Sequence, residues 1–260
     1  MAKEEAQGVS PVHAWQVEAM RLTSFPPEGT GIEASEWWSK LLGVEPEVKS
    51  DQPRLGAHRE EGPYENARLV LGILPGRVDW LFTRALGEEK ESEISLTIGT
   101  YSEVIPRFLG LMHKWFSFET CPPAKRLALG AVLSQPVKNR EEGYRRLCTF
   151  LPRVQIDPIG SSDFMYRINR PRASTIGLAD LKINRLSTWS VRVLQILATF
   201  VTGGQVTSNL ESQEGFACRL ELDINTAPDF SGQLAGDSLG GLLKELSDLM
   251  AEITLKGDVP

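Results

Sequence analysis

Two hydrophobic periods divide this chain: apolar residues alternate in some stretches and recur at helical spacing in others. His13 to Phe25 reads as a strand, closed by Pro26-Pro27. Ala34 to Leu42 gathers Trp37, Trp38, Leu41 and Leu42 at helical spacing, and Gly43 follows as a stop. A strand is expected near Arg54 to Arg59, then a turn at Gly62-Pro63. Leu69, Leu71 and Ile73 alternate, Pro75-Gly76 turns the chain, and Val78, Trp80 and Phe82 alternate again, which predicts a hairpin. The polar run 87–93 reads as a loop, and Ile94, Leu96 and Ile98 as one further short strand. Ser102 is the expected N-cap of a helix reaching about Phe118, with Ile105, Phe108, Leu109, Met112 and Phe116 on one face.

Cys121-Pro122-Pro123 is the best candidate boundary. Beyond it a strand runs from Arg126 to Leu133, ended by Pro136, and Asn139 caps a helix carrying Tyr144, Leu147, Cys148 and Leu151. A hairpin from Phe164 to Arg172 and from Leu181 to about Ile196 follows. Thr202 to Ser212 reads as a flexible stretch, Phe216 to Asn225 as a strand, and Ser238 to Ile253 as an amphipathic helix. The order is strand, helix, two or three strands, helix, given twice. The expected fold is therefore α+β, with two similar strand-helix-strands-helix halves, mainly antiparallel sheet and helices on one face. Residues 1–12 read as a loose tail, 13–121 as the first half and 122–260 as the second, closely packed and suggestive of a structural duplication. Two such units could join their sheets or stack them.

Ile168-Asn169-Arg170 returns as Ile183-Asn184-Arg185 on two neighbouring predicted strands. Alternation places Arg170 and Arg185 on the apolar side, where an arginine needs a partner. It turns Arg167, Asn169, Lys182, Asn184, Arg219, Glu221 and Asp223 outward. From Asp163 to Arg192 there are six basic and two acidic residues. Arg167, Asn169, Arg170, Lys182, Asn184, Arg185 and Asp223 are thus candidate residues for binding an anionic ligand. The competing reading is a cross-strand salt-bridge ladder.

Charge limits the classes of partner. The net charge is −6 and the pI about 5.3, which disfavours nonspecific contact with nucleic acid or anionic membrane, although a local basic patch could override it. Cys121, Cys148 and Cys218 show no CxxC spacing, so a disulfide framework or structural zinc is not expected. Met1 to Gly8 lacks an apolar signal core. The most apolar run, Val191 to Val201, is short for a membrane span and contains Arg192 and Gln195, so a cytoplasmic location is expected. His13, His58 and His113 form no HxH or HExxH, and no P-loop, GxGxxG after a strand, or GxSxG occurs. No catalytic residue, metal or cofactor is assigned on these grounds. Trp37 and Trp38 are neighbours about 100° apart on a helix. One of them is expected to be exposed, which makes the pair a candidate anchor for a protein partner or a second copy.

Several short motifs carry a family resemblance. Leu220-Glu221-Leu222-Asp223-Ile224-Asn225 with the amphipathic helix after it, the Asn184-Arg185 pair and the opening Val17-Glu18-Ala19 resemble an uncharacterised family of sporadically distributed bacterial proteins. That family has an "LDID" strand-plus-helix ending, an "NR" element and a "VEA" strand. Asn225 stands where the family more often has aspartate. The resemblance implies no activity or catalytic residue; its distribution fits mobile, defence-related genes. The leading expectation is a non-enzymatic binding or regulatory subunit. The alternatives are a sensor of an anionic small ligand or nucleic acid through Arg167, Arg170, Lys182 and Arg185, and a phosphoester-acting enzyme using Asp223, Glu221 and the arginines.

Overall fold

The structure, a computed structural model, describes residues 15–32, 36–84, 97–196, 200–202, 205–207 and 213–260. The tail 1–12, His13, the start of the first predicted helix, the loop 87–93 and the alternation at Ile94 and Leu96 lie outside those residues.

The first half runs β1 (Gln16–Phe25), α1 (Trp37–Leu42), β2 (Val48–Gln52), β3 (Ala57–Tyr64), β4 (Ala67–Leu74), β5 (Arg77–Thr83) and α2 (Tyr101–Phe116). The second runs β6 (Arg126–Val137), α3 (Arg140–Phe150), β7 (Met165–Asn169), β8 (Arg172–Ala173), β9 (Lys182–Ile196), β10 (Phe200–Thr202), β11 (Gln205–Thr207), β12 (Gln213–Thr226) and α4 (Asp237–Lys256). Ten of the described strands form one sheet in the order β2-β3-β4-β5-β1-β6-β12-β9-β7, with β8 also on β9. Every pairing in it is antiparallel. The halves join through β1 and β6, which pair from Gln16↔Ser134 to Phe25↔Arg126. Outward from that joint lie β5, β4 and β3 on one side and β12, β9 and β7 on the other. The fold class is α+β.

The described helices all pack on one face of the sheet. α2 lies on β1; α3 and α4 lie on β6, β9 and β12; α1 packs on α2. The inward residues of successive strands are Val17, Met20 and Leu22, then Val78, Trp80 and Phe82, then Leu127, Leu129 and Leu133, then Leu220, Leu222 and Ile224, all buried. Alternation with one face buried fixes this register, because a slip of one residue would turn each set outward. All six tryptophans are buried here. Trp15 lies between Phe150 (5.5 Å) and Trp189 (6.3 Å) and donates its Nε1–H to the Thr254 carbonyl of α4 at 3.2 Å. Each such ring contributes roughly 2–3 kcal/mol through burial, and aromatic pairing adds to that.

Burial corrects the expectation for Trp37 and Trp38. Both are 1% exposed. Trp37 meets Trp115 edge-on at 5.4 Å and donates to Thr120 Oγ1 at 2.8 Å. Trp38 stacks on Trp80 at 6.4 Å, above Gly62, where an added Cβ would come within 3.1 Å of its ring. The helix is only six residues long and is wedged between α2 and strands β3 to β5. The angle between the neighbours stands, but two walls cover two sides, and neither ring is a surface anchor.

Smaller corrections concern element ends. Thr100, rather than Ser102, caps α2: it forms a capping box with Glu103, whose carboxylate accepts from the Thr100 N–H at 3.1 Å. The strand expected near 54–59 begins only at Ala57, as β3; its first residues belong to a 3-10 turn at Pro53–Leu55 between β2 and β3. β2, with sequence VKSDQ, is exposed throughout and has no apolar alternation to reveal it; its charges suit a sheet edge. Pro136 does not end β6. It pairs with Ala217 beyond the last β1 partner, so its missing N–H falls on a free edge. Within the expected flexible stretch, the described residues pair as the β10–β11 hairpin.

Candidate binding face

The repeated tripeptide sits on β7 and β9, and the sheet separates its residues onto two faces. On the helix-covered face, Arg170 grips Asp258 with two bonds, Nε to Oδ1 at 2.9 Å and Nη2 to Oδ2 at 2.8 Å. Tyr166 donates its hydroxyl to the same carboxylate at 3.2 Å. Arg172 reaches Glu252 at 3.0 Å, and Arg185 reaches the same Glu252 oxygen at 3.2 Å. Gly257 makes the approach possible. Its φ is +79°, and a Cβ there would lie 2.0 Å from the Phe150 carbonyl, which instead accepts from the Asp258 N–H at 2.9 Å. These contacts latch the end of α4 to β7, β8 and β9.

The latch sets its own electrostatics. Arg170's hydrogen bonds hold the Asp258 carboxyl below the usual carboxylate range, against the opposing effect of burial. Arg185 is 1% exposed, and burial lowers its affinity for a proton, with Arg172 acting in the same direction. Its Nε and Nη1 have no hydrogen-bond partner. Arg170 and Arg185 therefore do not share a site with the other candidates: the sheet lies between them and Arg167, Lys182 and Asp223.

The opposite face carries no described helix. Asn169 donates to Asn184 at 2.9 Å, Asn184 to Asn225 at 3.1 Å, and Arg126 to the same Asn225 oxygen at 2.9 Å. Asn169 also accepts from the Arg185 backbone N–H at 2.9 Å. This amide ladder ties four strands together, and Asn225 donates onward to Asp223 Oδ1 at 3.0 Å. Arg219 lies between Glu18 (3.2 Å) and Glu221, and Arg192 also faces Glu221 at 3.6 Å. Salt-bridge pairing thus accounts for part of the face. Among the described residues, Arg21, Arg167 and Lys182 have no side-chain partner.

A trough of about 650 Å³ opens above the middle of the sheet. Arg21, Arg167, Arg192, Glu221 and Asp223 ring it, and Leu81, Val132 and Leu186 supply apolar surface. Its low point is Gly130, which stands between Arg21 on β1 and Asp223 on β12. A second hollow of about 420 Å³, toward β2, shares Arg21 and Leu81 with it. There Arg77 and Thr23 both bond Asp79 Oδ1, at 3.0 Å and 2.5 Å.

Sequence reasoning missed Arg21, Gly130 and Leu186. The signal for Arg21 was present: it shares the outward parity of β1 with Thr23, opposite Met20 and Leu22. It also missed the row at the β2–β3 edge, where His58 lies between Asp51 (2.6 Å) and buried Glu60 (3.3 Å), with Lys49 on Glu60 at 3.3 Å. Among the described residues no three histidine, cysteine or acidic side chains converge as metal ligands. Burial pushes the Cys121 and Cys218 thiols up to about 12, so neither is poised as a thiolate. No helix among the described residues is long and apolar enough to cross a membrane. No protein-family model and no curated protein matches the chain.

Proposed function

We propose that this chain is a non-catalytic binding or regulatory subunit, with the open face of its sheet as the recognition surface. One observation carries the reading: no described helix packs on that face, and its centre sets apolar Leu81, Val132 and Leu186 beside Arg21 and Arg167, which have no side-chain partner among the described residues. A mixed apolar and charged patch of this kind suits a partner that supplies both surface and charge. The resemblance to a sporadically distributed bacterial family supports a multi-protein, defence-related setting. The matching positions of strands on either side of the β1–β6 joint support reading the halves as a duplicated unit.

Leu81→Lys tests the reading. The side chain lies on the open face and is half-buried, so the substitution leaves the core intact. Tagged full-length protein recovered from its own host is expected to lose its specific partner in this variant. Val44→Lys, at an exposed position away from the face, is expected to keep it. Equal recovery with both variants overturns the reading. A turnover of phosphate esters lost in Asp223→Asn overturns it in favour of an enzyme.

A second reading is supported by Arg167, which has no side-chain partner among the described residues: an anionic small ligand held at Arg167 on the rim of the trough.

A further inference from the structure

The middle of the open face has a charge order that inverts about one glycine. One row of residues crosses seven strands: Val70, Leu81, Arg21, Gly130, Asp223, Leu186, Asn169. Next to Gly130 stand a cation on one side and a carboxylate on the other. One step further out stands a leucine on each side. Arg21 has no partner, and Asp223 accepts only from Asn225 among the described residues.

Resting on the binding reading above, we infer that the occupant of this face is a second copy of the same chain, docked sheet to sheet about a two-fold axis that runs along β6 over Gly130. An isologous interface requires that if residue i meets j, then j meets i. A two-fold along β6 exchanges the two sides of the row. Arg21 of each copy then faces Asp223 of the other, and Leu81 of each faces Leu186. The rows on either side are compatible with it. Thr23 exchanges with Asn225 and Asp79 with Asn184, which are donor–acceptor matches, and Thr83 exchanges with Thr188. Arg68 exchanges with Arg167, but Arg68 is already neutralised by Glu47 and Glu61.

Space and area agree with this occupant. With no side chain at Gly130, the trough leaves room for the partner's Arg21 to reach across to Asp223. Aligned sheets pack about 10 Å apart at roughly −30°, within the reach of an extended arginine. Seven strands at about 4.8 Å spacing and about 20 Å of strand length give on the order of 700 Å² per copy. A stable interface of standard size buries about 800 Å² per partner.

Charge exchange tests the proposal in the full chain. In equilibrium sedimentation the wild type is expected at twice its 28.8 kDa. Arg21→Asp and Asp223→Arg are each expected to weaken dimerisation about 30-fold or more, by placing like charges face to face. The double variant carrying both is expected to regain most of the loss. Circular dichroism confirms that each variant is folded. Val132→Cys gives an independent test, because Val132 lies near the axis and meets its own copy: a short bis-maleimide is expected to couple the two chains, with the wild type as the thiol background. A wild type that stays monomeric at about 100 µM, well above a micromolar Kd, overturns the proposal. So does a dimer that is insensitive to the single exchanges, or a Val132→Cys dimer that does not cross-link. A monomer whose Leu81→Lys variant loses a different protein overturns the second copy but leaves the binding reading standing. A monomer that keeps every partner in that variant overturns both.

Discussion

The two faces of the sheet treat neighbouring arginines in opposite ways. Arg170, Arg172 and Arg185 all end on Glu252 or Asp258, carboxylates of α4 and the residues that follow it. Arg167 and Lys182, each three residues before one of those arginines, end on no carboxylate among the described residues. Composition alone makes these one basic patch. The two-residue period of a strand makes them two populations, one committed to holding the fold and one left for contact with something else.

The sharpest break in that comparison comes from Arg170→Ala. It leaves the Asp258 carboxylate, 4% exposed, without its bidentate partner, and a cost of about 3 kcal/mol is expected in denaturant unfolding. The pH dependence carries its own sign. Because Asp258 is held below its ordinary range when folded, the unfolded chain takes up a proton first. The latch therefore contributes fully above the ordinary carboxylate pKa, about 3.9, and is lost as pH falls through the depressed folded value. The stability gap between the wild type and Arg170→Ala is expected to narrow as pH is lowered from about 5 to 3.

Arg185 sharpens the comparison from the other direction. Arg185→Ala opens a cavity and is expected to cost about 3 kcal/mol, whereas Arg185→Met fills the space without a buried charge and is expected to stay within about 1 kcal/mol of wild type. Thermal melts of the pair separate packing from charge. The smallest effects belong to the open face. Arg167→Ala and Lys182→Ala are expected to change stability by less than about 0.5 kcal/mol. Titration with inorganic phosphate decides the anion reading: a wild-type affinity that Arg167→Ala abolishes supports it, and an isotherm unchanged in that variant removes it.

Alternation made much of this legible. It turned Arg185 inward, placed Asn169, Asn184 and Asp223 outward, and identified Trp80, Trp189 and the stripe of α4 as core. The partner of Arg170 was not legible, because Asp258 lies 88 residues away and reaches it only through the packing of α4. Trp37 and Trp38 misled for a related reason: helical geometry fixes the angle between two side chains but not the number of walls around them. β2 has no apolar alternation to read, since an exposed edge strand needs none. The low point of the trough was hidden because a glycine inside β6 has significance only once the strands on either side of it are known.

The β1–β6 ladder that joins the halves has a consequence for dissecting the chain. Cysteine and proline residues at 121–123 mark an inviting place to cut, but a cut there would separate two strands of ten and twelve residues, each suddenly an open edge. Made alone, either fragment would present that edge to any strand it met, including copies of itself. Made together, the fragments would carry matching sides of a single closure. The chain is better treated as a zipper with two tapes than as a pair of modules on a tether, and as a natural candidate for a split reporter that reassembles at that seam.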